Sequence, residues 1–215
     1  MPLTFYYGSG SPYAWRVWLA LEHKQIVYAL TTLSFSGGDL RKPEYLAINP
    51  RHRVPAIVDD GFALYESAAV VEYLDERYPG DPKLFPGDLR QRATIRRMVQ
   101  EVDQYYVLAM ERMVEQILFT AQDKWDGEEI NAARKLLVEE IERWEEGAGR
   151  TEYLAAGGPT AADFALYPLI ALTLRMEKKK PDLEIRNAIG PRLSAWMTRV
   201  EALPYFKKTW PPHWK

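Results

Sequence analysis

The sequence predicts a small α/β domain followed by an all-helical domain. In residues 1–79, short apolar runs typical of strands alternate with helical patterns. The segment 80–88 is rich in proline and glycine and interrupts both patterns. The remainder, residues 89–215, contains long stretches of helical periodicity and no strand pattern of comparable quality. We therefore expect an α/β domain at 1–79, a linker at 80–88 and an all-helical domain at 89–215.

The first elements follow from local residue choice. The aromatic and apolar run Leu3–Tyr7 predicts a buried strand. Ser11 and Pro12 then predict the start of a helix, because serine suits the N-cap and proline the first helical position. A second strand is expected over residues 26–33 and a short helix over 43–48.

A hairpin and a third helix complete the expected α/β domain. Residues 54–58 resemble a strand, but Pro55 cannot donate a hydrogen bond to a sheet, so it either begins the strand or marks a special turn. Asp60-Gly61 is a hairpin signal and is followed by a returning strand over 62–65. The pattern of residues 67–78 predicts a helix.

The second half of the chain predicts only helices. Long helical patterns cover residues 89–122 and 128–147, and a further one covers 193–203. Thr160 and Asp163 have the spacing of a capping box, with an N-cap threonine and an acidic residue three positions later. We expect this pair to fix the start of a buried helix and to have a purely structural role.

The amino-acid composition limits what the protein can bind and which chemistry its own side chains can supply. Lysine and arginine number 28 and aspartate and glutamate 30, so the net charge of −2 argues against a nucleic-acid-binding protein. No apolar run approaches the ~20 residues that a membrane span needs. Cysteine is absent, which excludes a disulfide framework and a protein thiol nucleophile. Any thiol chemistry therefore requires a thiol on a ligand.

Four short stretches stand out along the chain: 11–17 (SPYAWRV), 49–56 (NPRHRVPA), 65–69 (YESAA) and 158–163 (GPTAAD). Each is a weak signal alone. In their order and separations they together resemble the cytosolic glutathione transferases, over nearly the whole chain. The resemblance implies a thioredoxin-like N-terminal domain, a helical C-terminal domain, a homodimer and a cytoplasmic location.

The resemblance implies a catalytic role for Ser11. In serine-type members, the matching residue donates a hydrogen bond from its hydroxyl group to the glutathione sulfur. Lowering a thiol pKa of ~8.5 by ~2 units requires about 2.7 kcal/mol. A hydrogen bond to a charged group supplies roughly 1.5–3 kcal/mol and a helix N-terminus roughly 0.3–1. The alternatives are that Ser11 is a plain N-cap, or that Tyr6 or Ser9 is the hydroxyl donor.

The resemblance also implies residues that bind glutathione. A cis peptide bond at Pro55 would expose the Val54 backbone, whose N–H and C=O pair with the cysteinyl backbone like an added strand. Ser67 and the adjacent helix start would receive the γ-glutamyl carboxylate, and Glu66 would pair with the γ-glutamyl amine. The alternative for Glu66 and Ser67 is simple helix capping.

The glycine end of glutathione would meet a positive cluster. His52 and Arg53, together with Arg51, suit the glycine carboxylate of the tripeptide. Two departures leave the class within the family open. Ala68 stands where related members often carry arginine, and Leu40 stands near the place of a frequent histidine.

The second substrate has the weakest signal. Tyr13, Tyr106 and Met110 are candidates for lining an electrophile pocket, because aromatic and thioether side chains suit varied apolar ligands. The alternative is that they are ordinary packing residues. The aromatic tail 210–214 either covers such a pocket or seals the core.

The expected function is therefore conjugation of reduced glutathione to electrophiles, as in detoxification. Glutathione would be a co-substrate, and no metal or tightly bound organic cofactor is implied. One alternative is a glutathione-dependent isomerase or dehalogenase on the same fold. The other is a non-catalytic binding or assembly protein.

Overall fold

The chain forms two compact units in a computed structural model that describes residues 3–214. The first unit runs up to Pro86 and also includes the segment from Leu203 onward. The second unit comprises Gly87–Ala202. The predicted fold class, a small α/β part followed by a helical part, is confirmed. No helix in the described part of the chain is both long and apolar enough to cross a membrane.

A four-stranded mixed sheet forms the centre of the first unit, in the order β2-β1-β3-β4. Its strands are β1 Leu3–Gly8, β2 Tyr28–Leu33, β3 Ala56–Asp59 and β4 Phe62–Tyr65. β2 runs parallel to β1, whereas β3 is antiparallel to both β1 and β4. Asp60 and Gly61 have φ angles of 49° and 85°, as a tight two-residue turn requires, so the predicted hairpin is confirmed.

Helices cover both faces of this sheet. They are α1 Pro12–His23, α2 Pro43–Leu46 and α3 Ser67–Arg77. Because side chains alternate along a strand, Phe5 and Tyr7 point to one face, where both rings contact Trp18 of α1. Tyr6 points to the other face, where its ring centroid lies 5.7 Å from that of Tyr45 in α2. α3 packs beside α1.

The second unit is helical. Its α-helices are α4 Leu89–Glu101, α5 Val107–Val114, α6 Gly127–Gly147, α7 Ala161–Lys179 and α8 Pro191–Glu201. The sequence predicts continuous helix over 89–122, and the chain is helical there up to Phe119. Two π-helical turns, Val102–Tyr106 and Glu115–Phe119, interrupt the α-helical hydrogen bonding. The sequence prediction did not distinguish these turns from the α-helix on either side of them.

The start of α7 confirms the predicted cap. The buried Asp163 carboxylate accepts hydrogen bonds from the Thr160 backbone N–H and hydroxyl, both at 2.7 Å. It also accepts from the Leu154 backbone N–H at 2.9 Å and from the Trp196 indole N–H at 2.8 Å. Asp163 therefore caps α7 and also ties it to α8.

The C-terminal segment packs onto α1 of the first unit. It contains α9 Phe206–Thr209 and a final turn, Pro212–Trp214. The Trp15 indole N–H donates to the Thr209 hydroxyl at 2.9 Å. Three tail rings have centroids within 5.3–5.8 Å of the Trp15 ring: Phe206, Trp210 and Trp214. The tail therefore contributes to the core of the first unit, which was one of the two predicted alternatives.

Candidate functional site

The end of β1 and the start of β3 meet at one end of the sheet. Tyr6 is paired with Ala56, and this register continued by two residues places Gly8 beside Val54. A β-carbon built on Gly8 would lie 2.9 Å from Val54 Cγ2, which confirms that the two residues are in contact. The loop that leads from β1 into α1 therefore begins next to Val54.

The start of α3 lies at the same end. Ala56 is paired with Tyr65, so the next position along places Glu66 beside Pro55. α3 then begins at Ser67. The sheet register thus brings together three segments that are well separated in the sequence. They are the β1–α1 loop, the residues before β3 and the first residues of α3.

Ser11 occupies the N-cap of α1, as predicted. Its backbone N–H donates to the Gly8 carbonyl at 3.1 Å, which closes the loop after β1. Its Oγ accepts the Ala14 backbone N–H at 3.2 Å, and Pro12 is the first helical residue. This bond uses a lone pair of the Ser11 oxygen and not its proton. The hydroxyl can therefore cap the helix and still donate to an anion.

The two alternative hydroxyl donors have other contacts. The Tyr6 ring packs against Tyr45 on the α2 face of the sheet. Ser9 Oγ lies 2.8 Å from Nδ1 of His213, which belongs to the C-terminal tail. Ser11 combines a free proton with a helix N-terminus, where an anion is stabilised. Which hydroxyl binds sulfur remains a prediction.

The loop before Val54 is held by buried side chains. Asn49 is buried, accepts the Arg51 backbone N–H at 3.0 Å and donates to the Arg53 carbonyl at 2.8 Å. The Tyr45 hydroxyl donates to the same carbonyl at 2.5 Å, and burial raises the pKa of Tyr45 to about 12. The side chains of Arg51, His52 and Arg53 are exposed. The loop therefore presents a positive cluster on a fixed backbone.

The Val54–Pro55 peptide bond is cis, as the resemblance predicts. Both residues are buried, and β3 begins directly after them at Ala56. Pro55 therefore precedes the strand instead of interrupting it, which resolves the sequence ambiguity. The backbone of Val54 lies just before the paired part of β3.

Glu66 and Ser67 lie at the start of α3, but only Ser67 is buried. Glu66 has an unusual backbone conformation, with φ 71° and ψ 108°, and its exposed side chain makes no capping hydrogen bond. This weakens the alternative that Glu66 serves as a cap. Residues held in sparsely populated backbone regions cluster at functional sites.

Sequence reasoning gave no role to Arg16. This residue is 2% exposed, and its Nη1 donates to Ser67 Oγ at 3.2 Å. A positive charge therefore lies beneath the N-terminus of α3, where both the helix and the guanidinium favour an anion. The sequence feature that could have indicated a role for Arg16 is its position as a charged residue inside the apolar run Ala14–Leu21 of α1.

The three candidate electrophile residues lie in different surroundings. Tyr13 is partly exposed, and its ring centroid lies 6.0 Å from the Arg16 guanidinium carbon. Tyr106 is fully buried in the helical unit, with its hydroxyl oxygen 3.0 Å from Thr173 Oγ1. Met110 is buried in the same unit. The burial of Tyr106 and Met110 favours the packing alternative, and a role in the pocket remains a prediction.

The side chains that bind metal ions in proteins are not clustered in the described part of the chain. Among residues 3–214, no group of three or more histidine, cysteine, aspartate or glutamate side chains is arranged to hold a metal ion. The polar groups gathered at the end of the sheet are hydroxyls, backbone amides and cations, with Glu66 as the carboxylate among them. These groups suit a peptide-like anion better than a metal.

The fold and the site define a class of protein: a thioredoxin-like unit with a cis-proline beside two helix N-termini, joined to a helical unit. Residues 10–77 match the family model described as glutathione S-transferase, N-terminal domain. Residues 127–199 match the model described as glutathione S-transferase, C-terminal domain. The chain belongs to the glutathione S-transferase family, and its relatives within that family are named as enzymes.

Individual relatives agree with this placement. Glutathione S-transferase A of Pleuronectes platessa is 27% identical over 219 residues, covering 99% of this chain and 92% of the relative. Maleylacetoacetate isomerase of Pseudomonas aeruginosa is 46% identical over 94 residues, covering 43% of this chain and 44% of the relative. The crystal structure of a glutathione S-transferase from the clam Laternula elliptica has a TM-score of 0.80 and 29% identity, covering 100% of this chain and 94% of that one.

Proposed function

We propose that the protein is a glutathione transferase that activates reduced glutathione through Ser11 and transfers its sulfur to an electrophile. The observation that carries this proposal is the position of the Ser11 hydroxyl. It caps the twelve-residue helix α1 through its lone pair, which leaves its proton available for a sulfur anion. A charge-assisted hydrogen bond and the helix N-terminus together supply about the 2.7 kcal/mol that a two-unit fall in the thiol pKa requires.

The proposed binding mode gives each polar end of glutathione a complement. The cysteinyl backbone pairs with Val54, next to the cis-proline. The γ-glutamyl carboxylate meets Ser67 and the α3 N-terminus, with the Arg16 charge behind them. The γ-glutamyl amine pairs with Glu66, whose exposed carboxylate is not used for capping.

The glycine end completes this mode. Its carboxylate meets the exposed side chains of His52 and Arg53, on a loop whose backbone is fixed by Asn49 and Tyr45. Paired charges across such an exposed site contribute modestly in free energy, and they mainly select the orientation of the tripeptide. Glutathione is a co-substrate in this proposal, and the reaction needs no metal.

The proposed reaction has two steps. The bound thiol loses its proton to solvent, and the Ser11 hydroxyl donates a hydrogen bond to the resulting thiolate. The sulfur then attacks an electrophilic carbon, and the electron pair of the breaking bond leaves with the leaving group or moves onto an acceptor atom of the substrate. Ser11 lowers the free energy of the thiolate and is not consumed.

A second candidate is a glutathione-dependent isomerase. The 46% identity to a maleylacetoacetate isomerase over 94 residues favours it. An isomerase adds the thiolate to a double bond and releases it again, so glutathione is regenerated. A transferase consumes glutathione in proportion to product. Measuring glutathione loss alongside substrate loss, with maleylacetoacetate and with an aryl halide, therefore separates the two. A transferase acting on an aryl halide also releases halide but leaves a glutathionyl thioether, whereas a dehalogenase would release a product without the glutathionyl group.

The homodimer and the cytoplasmic location belong to the same proposal, because both are implied by the resemblance to the cytosolic enzymes. Light scattering on the purified chain measures its mass in solution, and twice the chain mass of 24.9 kDa is expected. The remaining alternative is a non-catalytic binding protein. Such a protein would be retained on immobilised glutathione but would show no turnover with any electrophile.

The Ser11→Ala variant tests the proposed function. Turnover should fall at least about tenfold, because a charge-assisted hydrogen bond supplies roughly 1.5–3 kcal/mol. The pKa of the bound thiol, followed by thiolate absorbance, should rise toward that of free glutathione. Tyr6→Phe is the matched hydroxyl control. Full activity in Ser11→Ala, combined with an inactive Tyr6→Phe, would contradict the assignment.

A further inference from the structure

The C-terminal tail contacts the loop that carries Ser11. His213 Nδ1 lies 2.8 Å from Ser9 Oγ, and this hydrogen bond joins residues 204 positions apart in the chain. Ser9 belongs to the four-residue turn between Gly8 and Ser11, which is closed by the Ser11 N–H to Gly8 carbonyl bond. The imidazole therefore bonds the turn at a point two residues before the proposed sulfur-binding hydroxyl.

The same part of the tail also packs against Gly10. This glycine has φ 88°, a left-handed conformation that side chains disfavour. A β-carbon built on it would lie 2.8 Å from His213 Cε1 and 3.2 Å from the Trp214 indole nitrogen. The two tail rings thus occupy the space that a side chain at position 10 would need. Glycine therefore suits position 10 for two reasons: the positive φ angle and the lack of space for a side chain beside the tail.

The tail itself is firmly anchored on α1. Trp214 is buried, and its ring centroid lies 5.6 Å from that of Trp15. The Trp15 indole N–H bonds to Thr209 nearby. His213 therefore projects from a packed scaffold, and that scaffold is built on the helix whose N-terminus Ser11 caps. A polar contact made from a packed element can hold a loop more accurately than one made from a free chain end.

We propose that His213 is a positioning residue for the thiol site. It holds Ser9 by a hydrogen bond and packs against Gly10. These contacts fix the turn at residues 8–11 and thereby position the Ser11 hydroxyl. His213 does not touch sulfur in this proposal. The inference rests on the proposed function, since Ser11 must be the sulfur-binding group. It adds that His213 of the C-terminal tail supports the thiol site of the first unit.

The test compares His213→Ala, Ser9→Ala and the double variant in the full chain. We expect His213→Ala to lower kcat about tenfold, since small misplacements of a reacting group have effects of this size or larger. The pKa of the bound thiol should rise, and KM for glutathione should change by less than about threefold because the peptide contacts remain. The double variant should be no less active than the less active of the two single variants, since both substitutions remove the same Ser9–His213 hydrogen bond.

Two further variants separate positioning from general disruption. His213→Asn keeps a hydrogen-bonding group near the place of Nδ1 and should restore most of the activity and the low thiol pKa. Lys207→Ala changes an exposed residue of α9 and should behave as the wild type. Amide hydrogen exchange at residues 8–11 should speed up in His213→Ala and Ser9→Ala but not in Lys207→Ala.

The outcomes distinguish this inference from the proposed function. If Ser11→Ala is inactive while His213→Ala keeps wild-type kcat, thiol pKa and loop exchange, the positioning role is overturned and the function stands. If Ser11→Ala is fully active, the proposed function fails, and the inference about the thiol site fails with it. Strictly additive losses in the double variant would also overturn the inference. Should His213→Ala fold poorly, Ser9→Ala removes the same bond from the loop side.

Discussion

Arg16 donates a hydrogen bond from Nη1 to Ser67 Oγ at 3.2 Å, and both side chains are buried, with 2% and 7% exposure. The bond joins the helix that Ser11 caps to the helix that Ser67 begins. The two helix N-termini that form the candidate site are therefore fixed relative to each other by a buried ionic hydrogen bond. The same guanidinium adds positive charge where the proposed mode places the γ-glutamyl carboxylate.

Arg16→Met should weaken glutathione binding. In the proposed mode this guanidinium supports Ser67 and attracts the γ-glutamyl carboxylate, so KM for glutathione should rise about tenfold, which corresponds to about 1.4 kcal/mol. Saturating glutathione should restore most of kcat, because Ser11 is unchanged. Steady-state kinetics at varied glutathione concentration measures both effects. Arg77→Met is the control, since this exposed arginine lies in the last turn of α3, where it pairs with the buried Asp59. An unchanged KM in a folded Arg16→Met protein would contradict the role.

Asp163→Ala should destabilise the helical unit more than the loss of a simple cap. Burial raises the pKa of Asp163, and hydrogen bonds from Leu154, Thr160 and Trp196 oppose that rise. Removing the carboxylate leaves these buried donors without their acceptor, at roughly 1–3 kcal/mol each. We expect a loss of at least about 3 kcal/mol in the free energy of unfolding, measured by urea denaturation.

Asp126→Ala provides the matched control for that prediction. Asp126 caps α6 by accepting the backbone N–H groups of Glu128 and Glu129, at 2.9 and 3.1 Å, in an exposed setting. Water can replace these bonds, so a loss of about 1 kcal/mol is expected. Equal losses in the two variants would show that burial adds nothing to the cap at Asp163.

His23 should make stability depend on pH in the acidic range. Burial is the main cause that lowers the pKa of His23 to about 4, the Lys24 charge adds to this, and Asp75 opposes it. The unfolded chain has a pKa of ~6.5 at this residue. Between these values the unfolded state binds more protons, so the free energy of unfolding falls as the pH falls from about 6.5 to about 4.

The size of this effect can be measured against a variant. It amounts to at most about 3 kcal/mol, and partial exposure of His23 reduces it. His23→Gln should flatten the pH dependence in this window, whereas His52→Asn, at an exposed histidine, should not. Denaturation midpoints at several pH values provide the measurement. The same slope in His23→Gln and the wild type would refute the prediction.

Lys24 holds the segment that follows α3. Its ammonium group is buried, with 1% of the side chain exposed, and it donates to Asp75 Oδ1 at 2.9 Å. It also donates to the carbonyl oxygens of Gly80 and Pro82, both at 3.1 Å. This single cation therefore fixes the beginning of the segment 80–88, which the sequence predicts to be a linker.

Lys24→Met should loosen that segment. The variant leaves a mostly buried carboxylate and two carbonyls without their cation, and breaking such a pair typically costs about 3–5 kcal/mol. Limited proteolysis should cleave within residues 80–88 faster than in the wild type. Lys83→Met removes an exposed lysine of the same segment and serves as the charge-matched control. Equal cleavage rates in the two variants would count against the role of Lys24.

Much of the fold was predictable because its signals are local. The Ser11 cap, the Asp60-Gly61 turn and the Thr160–Asp163 cap each depend on residues no more than three positions apart. In such cases the residue types themselves set the backbone conformation. The order of strands and helices followed from these signals and from apolar periodicity. The two π-helical turns were not predicted, since a single turn is too short to establish a period of its own within a long helical pattern.

The sequence by itself determined the elements, their order and the candidate residues at the ends of strands and the starts of helices. Only the tertiary structure decided which of those residues meet. The Arg16–Ser67 bond spans 51 positions and the Ser9–His213 bond spans 204, and the return of the tail to α1 depends on the whole intervening chain. Such contacts leave no local pattern of residue types, because their geometry arises only when distant elements pack together.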